Sequence, residues 1–389
     1  MKNELNAIFL TPKLDGACKE VLDRIESMRK QLKYAIAAPR RWSGLLRRNT
    51  QARAIRGSNS IEGYKASVED AIAVVEGEEP LAADAATRQA LVGYQKAMTF
   101  VLQLAKSPTF FYNEGYLRSL HFMMTEYDLS KNPGNWRPGP IFVRDEPKNA
   151  NVYEGPDRER VEMLIDELMS SLNEDTISAH MVKAAMAHLN LVMIHPFSDG
   201  NGRMARCLQT LVLAREGILE AEFCSVEEYL GKKQQEYYDI LAQVGQGSWH
   251  PENNPLPWIK FMLRAQFTQA AVLMWRINLL ERLWMEFAES LEKSGFPERM
   301  VQPLVDAAIG LKVRNASYRH IAGISDNLAS RDFKSLVELG FLKPTGNNRG
   351  RTYEAADGVL KIWKHLYMPF KMDDPFTLKQ ANLFGLELD

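Results

Sequence analysis

Residues 176–194, TISAHMVKAAMAHLNLVMI, are rich in Ala, Met and Leu and predict a central buried helix. Pro196 ends it, because a residue before proline is pushed out of the α region, and His195 is left on the loop just past the helix end. RMARCLQTLVLARE (203–216) predicts a second helix that Gly217 stops. The join between the two, HPFSDGNGRMAR at 195–206, packs a histidine, an aspartate, an asparagine, two glycines and two arginines together. A solvated loop would explain their polarity but not their order.

Their order fits a phosphate site. A helix start offers unpaired backbone N–H groups and a partial positive charge, and glycines ahead of it let an anion come close to the backbone. Arg203 and Arg206 are three apart on the first turn and can reach the same anion, while Met204, Leu208, Leu211 and Val212 form the apolar stripe opposite. Asp199 is a hard oxygen ligand, and Mg²⁺ typically binds one or two carboxylates plus substrate phosphates. His195 can titrate near neutral pH and serve as a general base. Two plainer readings compete. GNGRMA (200–205) with Glu220 fits a dinucleotide fingerprint, but that motif needs a strand leading into the first glycine. The other is a polar connecting loop with Asn201 as N-cap. No Walker A, H-E-x-x-H or G-x-S-x-G sequence supplies a rival site.

Composition narrows the classes. The chain of 389 residues is long enough for two or three domains, and 46% hydrophobic with 25% charged residues is ordinary for a soluble protein. A net charge of −1 excludes a chain-wide basic surface. Cys18, Cys207 and Cys224 are too scattered for a disulfide framework or zinc cluster. The N-terminal apolar run AIFL is shorter than the roughly 7–15 residues of a signal peptide. The eleven uncharged residues between Arg264 and Arg276 fall short of the ~18 of a spanning helix. A cytoplasmic protein without membrane contact is expected.

Most of the chain has helical period. SVEDAIAVVEGE (67–78) opens on Ser67 with Asp70 three residues on, a weaker form of the capping box. Val161, Leu164, Ile165, Leu168 and Leu172 share one stripe. After the turn-rich stretch 245–257, residues 258–293 predict one long helix whose Met and aromatic side chains are read as packing. Arg40, Arg41, Arg47, Arg48, Arg53 and Arg56 are read as a solvated, ion-paired helix face, and His121, His180 and His188 as structural.

HPFSDGNGRMAR matches every position of H-x-F-x-[DE]-G-N-G-R-x-x-R, and the sequence resembles the Fic (Fido-fold) family. HFMMTEYDLSKNPGNWR (121–137) and VYEGPDRE (152–159) resemble the same domain, so the likeness covers roughly 45–250. The resemblance implies a mainly α Fido-type core with a small β-hairpin flap and transfer of AMP from ATP to a Ser, Thr or Tyr hydroxyl of a target protein or of the chain itself. His195 would be the base, Asp199 the Mg²⁺ ligand, Gly200, Asn201 and Gly202 the anion hole, Arg203 and Arg206 the holders of the distal phosphates, and Phe197 the loop's anchor. The intact motif separates the chain from the superfamily's kinase-like branch. GSNSIEGY (57–64) places Ser58 and Glu62 on one helical face with Gly63 at its end. It resembles the family's inhibitory sequence [ST]-x-x-x-E-[GN], which implies Glu62 paired with Arg206; in some members that glutamate assists removal of AMP. GPIFVRDEPKNANVYEGP (139–156) reads as two short strands about a turn containing Pro147. In the family such a flap pairs with the target's main chain.

The expected organisation is a helical region with the inhibitory helix (1–95), the catalytic core (96–250), a long connecting helix (251–296), a winged helix-turn-helix unit (297–372) and a tail (373–389). SYRHIAGISDNLASRDFKSLVELGFLK (317–343) reads as helix, Gly turn, helix, and FLKPTGNNRGRTYEA (341–355) as a hairpin. Residues 310–365 hold ten Lys/Arg and five acids, a local +5. Arg331 and Lys334 on the second helix and Arg349 and Arg351 on the wing can meet DNA, while three acids on that helix oppose it. A second copy of the chain or another protein is the other partner considered. The competing function is thus a DNA-binding regulator with a vestigial core or one acting on another nucleotide. That reading requires a salt-dependent mobility shift on unrelated duplex DNA, and no shift at about 50 mM salt would remove it.

Overall fold

The computed structural model describes residues 7–37, 40–80, 82–145, 149–175, 178–217, 219, 221–347 and 351–377. Pro147, Glu220, Arg349 and the last part of the expected tail lie outside them. The order begins α1 (Gly16–Ala37), α2 (Ser43–Ile61), α3 (Val68–Val75), α4 (Ala85–Lys106) and α5 (Glu114–Thr125). A hairpin follows, β1 (Phe142–Asp145) and β2 (Ala150–Glu154). Next come α6 (Val161–Glu174), α7 (His180–Ile194), α8 (Asn201–Arg215), α9 (Ala221–Cys224), α10 (Glu227–Lys232), α11 (Gln234–Gly245) and α12 (Leu256–Lys293). The chain continues with α13 (Val301–Ala308), α14 (Asn315–Ala322), α15 (Asp326–Glu338), β3 (Leu342–Thr345), β4 (Thr352–Ala355) and α16 (Asp357–Leu366).

The fold is mainly helical, as the periodicity predicts. The centre is the pair α7 and α8, whose side chains are buried on nearly every face. The stripe Val161, Leu164, Ile165, Leu168 and Leu172 of α6 is buried. At α3 the capping box is complete: Ser67 Oγ accepts from Asp70 N, and the Asp70 carboxylate accepts from Ser67 N at 3.2 Å. The 38-residue α12 is a spine rather than a mere connector. Trp258 Nε1 donates to the Ala185 carbonyl of α7 at 2.8 Å, Lys260 pairs with Asp15 at the start of α1, and Arg264 pairs with Asp374. Its Trp258, Phe261, Met262, Phe267 and Phe287 are buried, so the packing reading holds for those side chains. No helix among the described residues is long and apolar enough to cross a membrane.

Two expectations change. The arginine cluster is ion-paired but not uniformly solvated: Arg48 lies between Glu76 (3.1 Å) and Asp306 (3.0 Å), with its side chain 10% exposed. This pins α2 to α3 and α13. In the C-terminal unit the elements follow the expected order, α14, a turn at Gly323, α15, then the antiparallel pair β3–β4. Of the three acids counted on α15, however, Asp332 turns inward, accepting from Arg299 and from the Tyr318 hydroxyl.

The buried histidines are both held neutral. His188 sits between Gln209 Oε1 (2.6 Å) and the Tyr237 hydroxyl (3.0 Å), and burial pushes its pKa down to about 3. His121 donates from Nε2 to the Asp199 carbonyl (3.0 Å) and accepts at Nδ1 from Gly134 N–H (2.9 Å); burial lowers it to about 4. An unfolded histidine takes a proton near 6.5, so below that pH the unfolded chain binds more protons. The stability from this source is complete above 6.5 and is lost as pH falls toward the folded values, at up to ~1.4 kcal/mol per pH unit per histidine. Urea midpoints are therefore expected to fall steadily from about pH 7 to pH 5. His188→Gln should make that slope shallower, with His121 and His195 supplying the remainder; an identical slope would contradict the assignment.

Candidate active site

α7 ends at Ile194, two residues before the proline, and His195 between them takes the left-handed conformation, φ 51°, rather than the extended one that proline favours. That turn aims its ring back at the helix end. Nδ1 lies 2.9 Å from the Val192 carbonyl, which only accepts, so the proton is on Nδ1 and Nε2 is left as the basic nitrogen. Burial lowers the His195 pKa; Glu62 and Asp199 act in the opposite sense and Arg137 with burial. The ring is therefore neutral at neutral pH.

The loop is closed by two side chains. Asn201 accepts from Phe197 N–H (2.9 Å) and donates to the Phe197 carbonyl (2.8 Å). Phe197 is fully buried, stacked on His121 with centroids 3.8 Å apart and tilted against Trp136. Asn201 is therefore not the N-cap: α8 begins there, two residues earlier than its sequence pattern predicts, and Gly200 caps it at φ 78°. Carrying a side chain into that region is costly, which suits glycine.

Arg203 and Arg206 are both buried, at 0% and 1% exposure, and their guanidiniums differ in what they hold. Arg206 donates from Nε to Ser58 Oγ (2.7 Å) and from Nη2 to the Ser58 carbonyl (3.1 Å) and Glu62 Oε1 (2.7 Å). Arg203 reaches Asp199 at 3.3 Å and lies over the Tyr64 ring. Nε and Nη1 of Arg203 and Nη1 of Arg206 are buried without a hydrogen-bond partner among the described residues. Unpartnered buried donors on two cations fit an anion better than any neutral group. At Gly202 a Cβ would strike Glu62 Oε1 and stand 3.1 Å from Arg206 Nη1, so the glycine keeps this space open. Gly63, at φ 87°, turns the chain away after Glu62.

Asp199 is ion-paired with Lys131 Nζ at 2.9 Å; burial raises its pKa, but Lys131 and Arg203 outweigh burial and hold it low. Among the described residues no group of three or more His, Cys, Asp or Glu side chains is arranged for a metal ion. A divalent ion fits here only with phosphate oxygens completing its shell around the single Asp199 carboxylate.

Several positions escaped the sequence reading. Lys131 also donates to the hydroxyls of Tyr64 (2.8 Å) and Tyr127 (3.1 Å), and nothing in its spacing marks it. Arg137, 1% exposed, donates to the carbonyls of His195 (3.0 Å), Gly139 (2.5 Å) and Pro156, joining the hairpin's base to the loop. It ends the 121–137 segment, so the segment was visible although its role was not. The hairpin itself is present, with Val143 opposite Tyr153, whose hydroxyl donates to the Met193 carbonyl at 2.8 Å.

Residues 111–213 match the family described as Fic/DOC. The protein adenylyltransferase Fic of Nematostella vectensis is 25% identical over 262 residues, 65% of this chain and 55% of that protein. The protein adenylyltransferase fic-1 of Caenorhabditis elegans is 49% identical over 57 residues, 15% of this chain and 10% of that protein. The chain thus spans about half the length of the first relative and a tenth of the second. Among solved structures, a Fic family protein from Desulfovibrio desulfuricans G20 superposes with a TM-score of 0.58 at 22% identity, covering 89% of this chain and 98% of that one. Fic-1 from C. elegans gives 0.52 at 20%, covering 66% and 72%. These superpositions show a shared fold.

Helix α2, which carries Ser58 and Glu62, is held by close backbone approach. A Cβ on Gly57 would land on the Glu227 carbonyl and within 3.0 Å of Glu228 Cα, and Gly231 faces Gly57 at the same spot. Gly57→Ala is expected to cost about 1–3 kcal/mol by overpacking. A thermal melt that does not move would show that the helices do not meet there.

Proposed function

We propose that this Fic-family chain transfers AMP from ATP to a hydroxyl of a protein target, itself included, and that Glu62 restrains the reaction. The observation that carries the reading is His195, neutral, with Nδ1 tied to Val192 and Nε2 available, beside two buried arginines with unpartnered donors. The target oxygen attacks the α-phosphorus and its proton passes to His195 Nε2. A P–O bond forms, the bond from the α-phosphorus to the bridging oxygen breaks, and pyrophosphate leaves. Arg203 and Arg206, with Gly200, Asn201 and Gly202 at the start of α8, would take the phosphates. Mg²⁺ bound with the triphosphate would take Asp199 and supply charge neutralisation there. The hairpin β1–β2, with Phe142 and Val152 exposed, offers an edge to which an extended target segment can add.

Restraint follows from the Glu62–Arg206 pair, because a carboxylate on Arg206 occupies the donors a distal phosphate needs. Holding activity to about 1% takes only ~2.8 kcal/mol at 1.4 per tenfold. A charge-assisted Arg–carboxylate bond is of that order.

Glu62→Gly is expected to raise self-labelling from α-labelled ATP on the order of 10–100-fold. His195→Ala in that background should abolish it, and γ-labelled ATP should leave no label. Equal labelling of wild type and Glu62→Gly would discard the restraint, and label retained from the γ position would discard AMP transfer.

A further inference from the structure

On the far side of α2 from α8 and Arg206, a cavity of about 710 Å³ opens between α2, α12, α13 and the C-terminal elements β3, β4 and α16. Small-molecule sites span roughly 300–1,000 Å³. Leu279 and Leu280 of α12 give it an apolar floor. One wall is aromatic: Trp363 stacks on Tyr367 with centroids 4.4 Å apart, and Trp275 meets Tyr367 edge-on at 5.9 Å.

The charges in the lining are unequal. Arg53, Arg276, Lys312 and Lys343 stand in the lining with Glu354 as its one carboxylate, which lies 3.7 Å from Lys312. Glu228, behind it, is taken up by Arg276 at 2.6 Å and reaches Arg53 only at 3.8 Å. Asn49, 4% exposed, is also part of the lining, its amide nitrogen donating to the Leu45 carbonyl at 3.0 Å. Flat rings and surplus cations ask for an aromatic ligand bearing an acidic group.

The cavity's α2 wall consists of Leu46, Asn49 and Arg53, and the same helix carries Ser58 in its last turn and is capped by Glu62. A rigid helix shared by two sites couples them if either ligand prefers one position of it. We propose that this cavity binds a small aromatic acid and that its occupancy is transmitted along α2 to the Glu62–Arg206 contact. The second half rests on the restraint read from Glu62; the first does not.

The test uses 1-anilinonaphthalene-8-sulfonate, an aromatic anion with one N–H, and its neutral counterpart N-phenyl-1-naphthylamine, on the full chain. Fluorescence titration should show one saturable anion site per chain, with the neutral compound weaker by at least about tenfold. Leu360→Trp, which fills the cavity from α16, and Lys343→Glu, an exposed charge reversal, should each weaken the anion by at least about tenfold. Unsaturable binding, equal affinity for the neutral compound, or unchanged affinity in both variants overturns the site. Amide exchange of residues 57–64 should change when wild type is saturated and not in Leu360→Trp. Binding without that change overturns the coupling alone. Neither readout uses nucleotide transfer, so failure of the labelling experiment with intact anion binding would count against the activity and not the cavity.

Discussion

Arg206 sets the terms for everything around it. Its guanidinium is sealed in the core at 1% exposure, and a buried charge left without a partner costs about 3–5 kcal/mol. Ser58 supplies two neutral acceptors, but the compensating charge is Glu62 at 2.7 Å. A chain that withdraws Glu62 must therefore put another anion in its place. On the proposed reading, the restrained and the nucleotide-bound states are related by exchange of one anion for another, not by the opening of an empty space. Arg203 strengthens the demand, since two of its three guanidinium nitrogens have no hydrogen-bond partner even with Asp199 close by.

The way α2 is built suits the exchange proposed for Glu62. Its body is braced as one rigid piece, by the glycine contact of Gly57 with α10 and by Arg48 between Glu76 and Asp306. Its end is held more lightly: the Ile61 carbonyl accepts from the Tyr238 hydroxyl (2.8 Å) and Gln234 Nε2 (3.1 Å). Glu62 is the helix cap, so its side chain can swing without breaking the interior hydrogen bonds of the helix. A rigid rod with a movable last residue is suited to placing one carboxylate accurately and releasing it.

The local, periodic parts of this structure could be read from the sequence. The stripe of α6, the end of α7 at Pro196 and the turn at Gly63 each follow from spacing or backbone restriction, which neighbouring residues set by themselves. Glu62 and Arg206 lie 144 residues apart, and their pairing entered through the resemblance of two short motifs rather than through any periodicity. What stayed invisible depends on which distant surfaces meet. Lys131, Tyr64 and Tyr127 form their cluster only because α2's exit and the segment after α5 fold onto the same face of α8. The early start of α8 was missed for a related reason: the side chain of Asn201, which usually caps, was already committed to Phe197.

That cluster also ties together the two sides of the proposed phosphate site. Two residues past Glu62, Tyr64 touches Lys131 with its hydroxyl and lies under the Arg203 guanidinium, while Lys131 holds Asp199. The segment 58–64 thus contacts Arg206 at one end and, through Tyr64, both Arg203 and the partner of Asp199 at the other. Gly63 and Tyr64 donate from their backbone N–H groups to the Ser60 and Asn59 carbonyls, so this segment is held against the last turn of α2. On the proposed reading, the charge facing the distal phosphates and the charge surrounding Asp199 are both set by one short stretch of chain.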